Sequence, residues 1–198
     1  LRGCVGSPWC ARCRTPVSFT FGIVRTMANR HSPATLSPQQ WELYRDLRLA
    51  SLLDSPDAFG STHALEAARS PEVWQSRLAV AATSGLDLPL VARMDDWPAG
   101  LCWAKRDSAN LSAVSIYQMW VAPQFRGNGI GDALLERCIG WARSIGASEV
   151  HLGVTLADSP AHRLYIRHGF LPVGEPVPLR EGTSLLAQNM SLSIANDA

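Results

Sequence analysis

The sequence lacks a long apolar run and a strong excess of charge. Its 198 residues contain no stretch of about 18 uninterrupted apolar residues, so no membrane-spanning helix is expected. Eighteen Lys and Arg against seventeen Asp and Glu give a net charge of +1. This balance argues against the basic character that is typical of nucleic-acid-binding and membrane-surface proteins. We therefore expect neither nucleic acid nor a membrane as a partner.

The chain also lacks a disulfide framework and a complete metal-binding motif. Its five cysteines are odd in number and scattered, which fits a reducing compartment such as the cytoplasm. Cys10-x-x-Cys13 would be half of a zinc site, but a second ligand pair of that kind is missing, so no metal is expected. Cys102 and Cys138 lie in apolar periodic stretches and are predicted to be buried.

The first 26 residues differ in composition from the rest. They carry four arginines, no acidic side chain and three of the five cysteines, and Met27 follows them. We interpret residues 1–26 as a basic appendage and residues 27–198 as a single domain. A secretory signal is not indicated, because the apolar stretch 17–24 is interrupted by polar and small residues and no clean cleavage site follows.

The remaining pattern alternates between helical and extended segments. A helix begins at Ser37-Pro38 and ends in a turn cluster over 54–60, and a second helical region over 62–84 is interrupted at Ser70-Pro71. Mixed elements in this order predict an α/β or α+β sheet domain. Further helices are predicted over 129–145 and 159–168, the second of them starting at Ser159-Pro160. Strands are predicted over 88–94, 100–105, 114–121, 149–155, 170–173 and 185–192, with the turn Asp95-Asp-Trp-Pro98 between the first two, and a first strand is predicted in 17–25 or 28–34.

A glycine-rich turn over 124–131 joins a predicted strand to the clearest amphipathic helix. Free N–H groups at a helix N-terminus favour phosphate, and glycines let the backbone approach an anion closely. Arg126 adds a fixed positive charge. A pyrophosphate is a physically sensible ligand here, and a turn without a ligand is the alternative.

Two common nucleotide-binding loops do not match this turn. The pattern GxxxxGK[ST] requires a lysine that is absent after Gly131, and Gly127, Gly129 and Gly131 are spaced GxGxG rather than GxGxxG. The spacing favours a different diphosphate-bearing cofactor.

Two separated motifs resemble the GNAT superfamily of N-acetyltransferases, which use acetyl-CoA. Residues 124–129 read QFRGNG and match the motif (Q/R)xxGx(G/A). Residues 161–170 read AHRLYIRHGF and resemble the end of the element N-x-x-A-x-x-L-Y-x-x-x-G-F. The stretch 48–60 is similar to the first-helix region of many bacterial members. The likeness covers residues 30–194 and implies a mixed, mostly antiparallel central sheet, flanked by helices and splayed at its central strands.

The resemblance implies how the cofactor is held. Backbone N–H groups of the turn hold the pyrophosphate, and the strand before it, often bulged, pairs with the pantetheine amides. The N–H of Met119 or Val121 is the candidate donor to the thioester oxygen. The cofactor-binding positions implied in this way are Met119, Trp120, Val121, Gln124, Arg126, Gly127, Asn128, Gly129, Ile130 and Gly131.

Tyr165 matches the family tyrosine that is often proposed to protonate the leaving thiolate. A phenol suits this role because its pKa is not far from that of a thiol, and the alternative is a tyrosine that packs beside Leu164 and Phe170. Asp158 departs from the family, which commonly has asparagine there. Its carboxylate lacks the donor amide, so Asp158 is either a weak cofactor-side candidate or part of the start of the 159–168 helix.

No general base is identified. The implied reaction is direct attack of a neutral amine on the thioester, and an alkylammonium of pKa ~10.4 is neutral in roughly one part in a thousand near pH 7. Some family members carry a glutamate on the central strand, whereas residues 112–121 contain no carboxylate. Tyr117 and Gln118 are polar candidates to orient a water. His151 is either a proton acceptor or a buried, hydrogen-bonded structural histidine.

In the family, two loops usually frame the acceptor, and they correspond here to residues 54–62 and 174–182. The acidic residues of these loops either attract a cationic amine or, as the simpler interpretation, are solvated loop residues. The basic residues of the 159–168 helix either contact coenzyme A phosphates or form a solvated face. The acceptor candidates are Asp54, Asp57 and Glu175 for charge and Phe59, Trp97 and Trp103 for apolar contact, and the basic helix residues are His162, Arg163, Arg167 and His168.

The leading expectation is an enzyme that acetylates a primary amine of a small molecule. A protein or peptide N-acetyltransferase, which needs an open groove, is the first alternative. A non-catalytic acyl-CoA-binding module is the second, and the missing strand carboxylate favours it slightly. A nucleotide-binding regulator is the third. Family members are often dimers, so a homodimer is also an expectation.

Overall fold

A computed structural model describes residues 32–194 of the chain. The predicted appendage 1–26, with its Cys10-x-x-Cys13 pair, lies outside these residues. The helices are α1 Trp41–Asp54, α2 His63–Ala67, α3 Pro71–Ser84, α4 Ile130–Ser144 and α5 Pro160–Arg167. The strands are β1 Ala34–Thr35, β2 Asp87–Met94, β3 Trp97–Arg106, β4 Ala113–Val121, β5 Glu149–Thr155, β6 Leu171–Pro178 and β7 Leu186–Ser193.

The strands form one sheet in the order β1-β2-β3-β4-β5-β7-β6. Only the pairing of β4 with β5 is parallel, and the other neighbours recorded in this sheet are antiparallel. The predicted fold class, a mixed and mostly antiparallel sheet flanked by helices, is confirmed. The single parallel pair lies near the middle of the sheet, between the strand that precedes the glycine turn and the strand that precedes α5.

Each face of the sheet is covered by a separate apolar cluster. On one face, α4 and α5 pack against β2–β5 through residues such as Leu134 and Phe170, both fully buried. On the other face, α1 and α3 pack against β2–β4 through Tyr44, Trp74 and Leu78. Burying one such side chain stabilises the fold by roughly 1.5–3 kcal/mol, so both helical layers are held firmly against the strands.

The helix that follows the glycine turn forms as its periodicity predicts. Ile130, Leu134 and Cys138 are all essentially buried, and Trp141 is partly buried against the same cluster. Gly146, just past the helix end, has φ +75°, a backbone conformation that glycine adopts at least cost. Cys138 lies 3.4 Å from Cys102, sulfur to sulfur, so the predicted burial of both thiols is confirmed.

The hairpin between β2 and β3 is tighter than the sequence suggests. Its turn consists of Asp95 and Asp96 rather than the predicted four residues. Asp95 adopts φ +52°, and Arg93 Nη1 donates a hydrogen bond to the Asp96 carbonyl at 2.9 Å. Trp97 therefore pairs with Met94 as the first residue of β3, and its placement in the turn was wrong.

The strand β6 is longer than the predicted 170–173. It pairs with β7 alone and contains three prolines and a glycine, which disguise it in the sequence. An edge strand tolerates proline because one row of its N–H groups needs no partner. The register shifts between Val173 and Val177, and Phe170 lies outside the strand in the core.

The first described strand is short. Ala34 and Thr35 pair with Val91 and Leu90 at the edge of the sheet. The predicted alternative 17–25, and all but the end of 28–34, lie outside the described residues. Among residues 32–194, no helix is both long and apolar enough to cross a membrane. The same residues contain no group of three or more His, Cys, Asp or Glu placed to hold a metal ion.

Candidate active site

The central strands β4 and β5 separate part-way along their length. Their recorded pairing runs from Ala113 with Glu149 to Ile116 with Leu152. Beyond this point β4 continues to Val121 without β5 as a partner, and β5 remains paired with β7 on its other edge. The two strands therefore open a split in the sheet that starts at Tyr117.

One edge of the split presents unpaired backbone groups. The N–H of Ala122 donates to Ala99 O at 2.9 Å, toward β3. Because successive N–H groups of a strand point to opposite sides, those of Val121 and Met119 point away from β3, into the split. The Val121 carbonyl on this side already accepts a hydrogen bond from Arg126 Nε at 3.0 Å. The N–H groups of both Met119 and Val121 remain open to the split.

A bulge lies at the mouth of the split. The register of β3 with β4 shifts so that two residues of β4, Gln118 and Met119, lie opposite one residue of β3. The backbone of Gln118 has φ +57°. This conformation is costly for a residue with a Cβ and is typical of a bulge. The Gln118 amide oxygen accepts a hydrogen bond from the Tyr44 hydroxyl at 3.2 Å. The contact holds the bulge against α1.

The glycine turn ends at the start of α4 and fits a diphosphate. Gly127 and Gly129 have φ +77° and +79°, and a Cβ added at either position would meet nothing within 4 Å. The space beside both residues is therefore open. The first recorded helical hydrogen bond runs from Ala133 N–H to Gly129 O, which leaves the earlier N–H groups of the first turn without helical partners.

The side chains of the turn stabilise the turn itself. The Asn128 amide donates to the carbonyls of Phe125 and Arg126, both at 3.1 Å. The Arg126 guanidinium pairs with Asp54 at the end of α1. The Arg126 guanidinium is thus directed to Asp54. The groups that the turn offers to an anion are its backbone N–H groups. Gln124, from the same motif, is exposed.

Asp54 is an exposed residue, but its carboxylate is held by neighbouring side chains. It accepts hydrogen bonds from Trp120 Nε1 at 2.8 Å and from Ser55 at 2.7 Å, in addition to the pair with Arg126. Burial raises the pKa of its carboxyl, but these donors outweigh burial and hold the pKa below its usual range. Asp54 therefore connects α1, the central strand and the glycine turn as a carboxylate.

We expect Asp54→Ala to lower the free energy of unfolding by about 1–3 kcal/mol at pH 7, because it leaves charged and indole donors without an acceptor. A carboxyl whose pKa is depressed by folding stabilises the protein above its usual pKa and loses that effect as the pH falls. The difference from wild type should therefore shrink in acid, as followed by urea unfolding.

The matched control is Asp46→Ala, which removes an exposed carboxylate of the same helix that pairs only with its neighbour Arg45. Its expected effect is within about 0.5 kcal/mol at any pH. Equal losses for the two variants would show that Asp54 does not hold these elements together.

The helix α5 packs against the beginning of α4. Its N-cap is Ser159, whose hydroxyl accepts from the His162 N–H at 3.1 Å, while Asp158 is exposed and pairs with Arg163. A Cβ on Gly131 would lie 3.2 Å from Leu164, so this glycine allows the close approach of the two helices.

The basic face of α5 is partly neutralised by α4. Asp132 accepts from Arg167 at 2.7 Å and pairs with His168 at 3.0 Å. Burial raises the pKa of Asp132, but the hydrogen bonds from His168 and Arg167 prevail and lower it. Two of the four basic residues that were considered for coenzyme A phosphates are therefore engaged with α4.

Tyr165 projects from α5 into the core cluster between the sheet and α4. It is 5% exposed, and its ring lies 6.0 Å from that of Phe170, centroid to centroid. Burial, followed by the Cys102 and Cys138 thiols, raises the pKa of Tyr165 far above that of an ordinary phenol. The hydroxyl therefore keeps its proton at neutral pH. The ring contact fits a packing role. The retained proton is compatible with an acid role, but the raised pKa makes Tyr165 a weaker acid than an ordinary phenol and less well matched to a thiol.

Comparison with known proteins agrees with this geometry. Residues 51–170, which include the split strand, the glycine turn and α5, match the family described as "Acetyltransferase (GNAT) family". The chain belongs to this GNAT family. A streptothricin acetyltransferase of Streptomyces lavendulae is 37% identical over 91 residues, which cover 41% of this chain and 48% of the relative. The chain thus matches about half the length of this curated relative.

Solved structures show the same fold at lower identity. A GNAT-family acetyltransferase from Streptococcus pneumoniae has a TM-score of 0.70 and 22% identity, over 83% of this chain and 99% of the other. A spermidine N-acetyltransferase from Vibrio cholerae, solved with CoA and spermine, has a TM-score of 0.69 and 14% identity, over 84% and 96%. Both likenesses establish the GNAT fold of this chain.

A cavity of about 380 Å³ opens on the face of the sheet that α1 and α3 cover. Tyr117 and Gln118, the polar candidates of the central strand, lie in its wall. Since Tyr117 is also the first β4 residue beyond the pairing with β5, the cavity meets the mouth of the split. The other lining residues are Tyr44, Ser76, Arg77, Val80, Asp87, Trp103 and Lys105.

The predicted acceptor loops lie together, but most of their candidate residues are engaged elsewhere. Arg180 Nη1 donates to the carbonyls of Pro56 and Phe59 at 3.0 and 2.9 Å, which joins the two loops. Asp57 lies 3.7 Å from the same guanidinium. Phe59 is buried under Arg48, whose guanidinium carbon lies 4.6 Å from the ring centroid.

The remaining candidates have different surroundings. Trp103 lines the cavity, as expected for an apolar contact, whereas Trp97 is 61% exposed in the β2–β3 hairpin. Glu175 is exposed on β6. His151 lies 3.1 Å from Glu149 with a side chain that is 38% exposed, so its predicted hydrogen bond is present but its predicted burial is not.

Sequence reasoning missed several residues of the cavity wall. Tyr44, Arg77 and Asp87 were not predicted to be site residues. Helical periodicity predicts which residues face inward, and it carries no sign that α1 and α3 leave a gap above β3 and β4. Lys105 offered one signal, since it is the single lysine of the chain.

Proposed function

We propose that this protein transfers the acetyl group of acetyl-CoA to a primary amine of a small molecule. The observation that carries this proposal is the split between β4 and β5. It opens beside the unpartnered N–H groups of the glycine turn and meets, at Tyr117, a cavity on the opposite face of the sheet. One thioester and one amine can thus approach each other from two sides of the same strand.

Acetyl-CoA supplies an activated acetyl thioester when bound. The backbone N–H groups of Gly127 to Gly131 hold its diphosphate, for which the two positive-φ glycines leave open space. The open edge of β4 extends the sheet toward the pantetheine amides, as an added strand would. The N–H of Met119 or of Val121 is the donor that we assign to the thioester oxygen, because both point into the split.

Two side-chain groups handle protons in this proposal. The protonated Tyr165 hydroxyl donates its proton to the departing thiolate sulfur, a transfer that its raised pKa makes less favourable than for an ordinary phenol. On the acceptor side, Tyr117 and Gln118 hold a water that takes the proton of the amine. Tyr117 is 53% exposed, so this water is in contact with solvent. No carboxylate of β4 is needed for this route.

The cavity favours a small acceptor over a protein. Its volume of about 380 Å³ lies within the range of small-molecule sites, although the cavity is open to solvent. Two of the relatives point the same way, since one is named for streptothricin and another was solved with spermine.

A thiol-release assay tests the proposal. Purified protein and acetyl-CoA are mixed with a panel of small amines and with peptides, and free CoA is measured together with the mass of the product. We expect CoA release that depends on a small amine and yields a product 42 Da heavier.

Other outcomes of the assay contradict this reading. Release with peptides alone would assign a protein N-acetyltransferase. Binding of CoA by calorimetry without turnover of any amine would assign a binding module. Greater thermal protection by ATP or NAD than by CoA would exclude the acetyl-CoA site altogether.

A further inference from the structure

The cavity on the α1/α3 face has an uneven charge distribution. Two cations, Arg77 and Lys105, and one carboxylate, Asp87, lie in its wall. Asp87 already accepts hydrogen bonds from Trp103 Nε1 and from Ser84, both at 2.9 Å. These donors are neutral, so Asp87 keeps its negative charge, and it lies opposite Lys105 across β2 and β3. With Arg77 included, the wall still carries one more positive than negative charge.

Lys105 is the freest of these charges. It is exposed at the sheet side of the cavity and forms no ion pair with any residue of the described range 32–194. Its position in β3 is opposite Ser115, whereas Trp103 is opposite Tyr117. Two residues of strand span about 7 Å, so Lys105 stands that far from the mouth of the split along the sheet.

The helical side of the cavity adds further positive charge. Arg77 pairs with Glu66 at 2.9 Å, and Glu66 also pairs with Arg69 at 3.0 Å. One carboxylate thus balances only one of the two guanidinium charges. Arg48 is a third cation of this layer. It is 3% exposed, one helical turn from the cavity residue Tyr44, and its buried Nε has no hydrogen-bond partner within the described residues.

None of the acidic residues that were expected to attract a cationic acceptor lines this cavity. Asp54 is held by Trp120 and Arg126, Asp57 lies next to Arg180, and Glu175 is exposed on β6. A polyamine entering the cavity would meet two cations and one carboxylate, Asp87. Aromatic side chains from α1, β3 and β4 complete the wall and suit an apolar group.

We propose that the acceptor carries a carboxylate and an apolar group in addition to its primary amine, as an amino acid with an apolar side chain does. Lys105 and Arg77 face the carboxylate, and Tyr117 and Gln118 face the amine at the mouth of the split. This inference rests on the proposed acetyl transfer and narrows its substrate class.

Matched pairs of amines with and without the carboxylate test the proposal. L-Phenylalanine is compared with 2-phenylethylamine, and 5-aminovalerate with pentylamine, in the thiol-release assay with spermidine as the cationic reference. We expect kcat/KM to be about tenfold higher for at least one carboxylate-bearing member over its partner, the size of one charge-assisted contact. Equal values within each pair, or a preference for spermidine, would overturn the inference.

The variant Lys105→Gln identifies the residue responsible. It should lower kcat/KM for the preferred amino acid about fivefold to tenfold and leave its decarboxylated partner within twofold. Arg137→Gln is the control, since Arg137 is an exposed cation on α4, on the other face of the sheet. Equal effects of Lys105→Gln on both members of a pair would remove Lys105 from the site.

A binding measurement separates this inference from the proposed function. 3-Phenylpropionate has the carboxylate and the ring but no amine, so its dissociation constant requires no turnover. Calorimetry should show binding to wild type that weakens about fivefold or more in Lys105→Gln. Acetylation of amines without such binding would refute only the carboxylate site, whereas binding without acetylation of any amine would refute only the proposed transfer.

Discussion

Gly129→Val is expected to raise the dissociation constant of CoA at least about tenfold. Gly129 has φ +79°, which costs a residue with a Cβ roughly 1–2 kcal/mol, and valine is stiffer than most. The added side chain would also occupy the open space beside the N–H groups that hold the diphosphate. Both effects act on the same turn. Calorimetric titration with CoA measures the result directly.

A matched variant separates strain from binding. Gly85 ends α3 with φ +66° and likewise has nothing within 4 Å of an added Cβ, but it is not part of the glycine turn. Gly85→Val should therefore lower the free energy of unfolding by about 1–2 kcal/mol and leave CoA binding unchanged. If Gly129→Val also kept wild-type affinity, the turn would not be the diphosphate site.

Tyr165→Phe is expected to lower kcat by about a hundredfold while CoA binding stays within twofold of wild type, a loss at the lower end of what general acids contribute. The substitution removes only the hydroxyl, and the ring contact with Phe170 at 6.0 Å is retained. The protein should thus remain folded and bind its cofactor. Pre-steady-state and steady-state measurements of CoA release give kcat with the preferred amine.

The packing alternative for Tyr165 makes opposite predictions. Phe170→Leu disturbs the same contact without touching the hydroxyl, so it should cost stability and leave kcat nearly unchanged. If Tyr165→Phe retains wild-type kcat, the tyrosine is a core residue and water protonates the thiolate.

The pH dependence of kcat gives a further check on Tyr165. Burial raises its pKa, so its proton is retained through the range in which an ordinary phenol titrates, near ~10. We therefore expect no loss of kcat in wild type from ionisation of Tyr165 below that range. A loss of kcat at high pH that is centred at or below the usual phenol pKa and is absent in Tyr165→Phe would show that Tyr165 ionises there. That result would contradict its burial.

The split and the two helical layers together explain why the strand before the glycine turn is central. Its backbone faces the split on one edge, its Met119 side packs toward α4, and its Tyr117 side faces the cavity. The Gln118 bulge changes the alternation between these faces. A ligand on either side of the sheet thus contacts the same five-residue segment.

Local sequence signals were sufficient for the helices. Ser159 before a proline predicted the start of α5, and the hydroxyl indeed caps the helix. The interruption at Ser70-Pro71 separated α2 from α3, and the spacing of Ile130, Leu134 and Cys138 predicted the buried face of α4. Caps and periodicity act within a few residues of the chain, which is why the sequence reveals them.

Strand ends were less predictable because pairing decides them. The two-residue turn before β3 and the proline-containing β6 both depend on a neighbouring strand that accepts the hydrogen bonds. The same holds for the bulge at Gln118, since a bulge is a relation between two strands. Periodicity along one strand contains no information on the register of its partner.

The sequence by itself determined the family, the position of the glycine turn and the tyrosine of α5, because these are short motifs whose spacing along the chain carries the chemistry. Only the tertiary structure decided what surrounds them. It removed Asp54 from the acceptor candidates by pairing it with Trp120 and Arg126, and it brought Arg77 and Lys105 to one cavity. Charges far apart in sequence combine or cancel through space, so the character of the acceptor site appears only after folding.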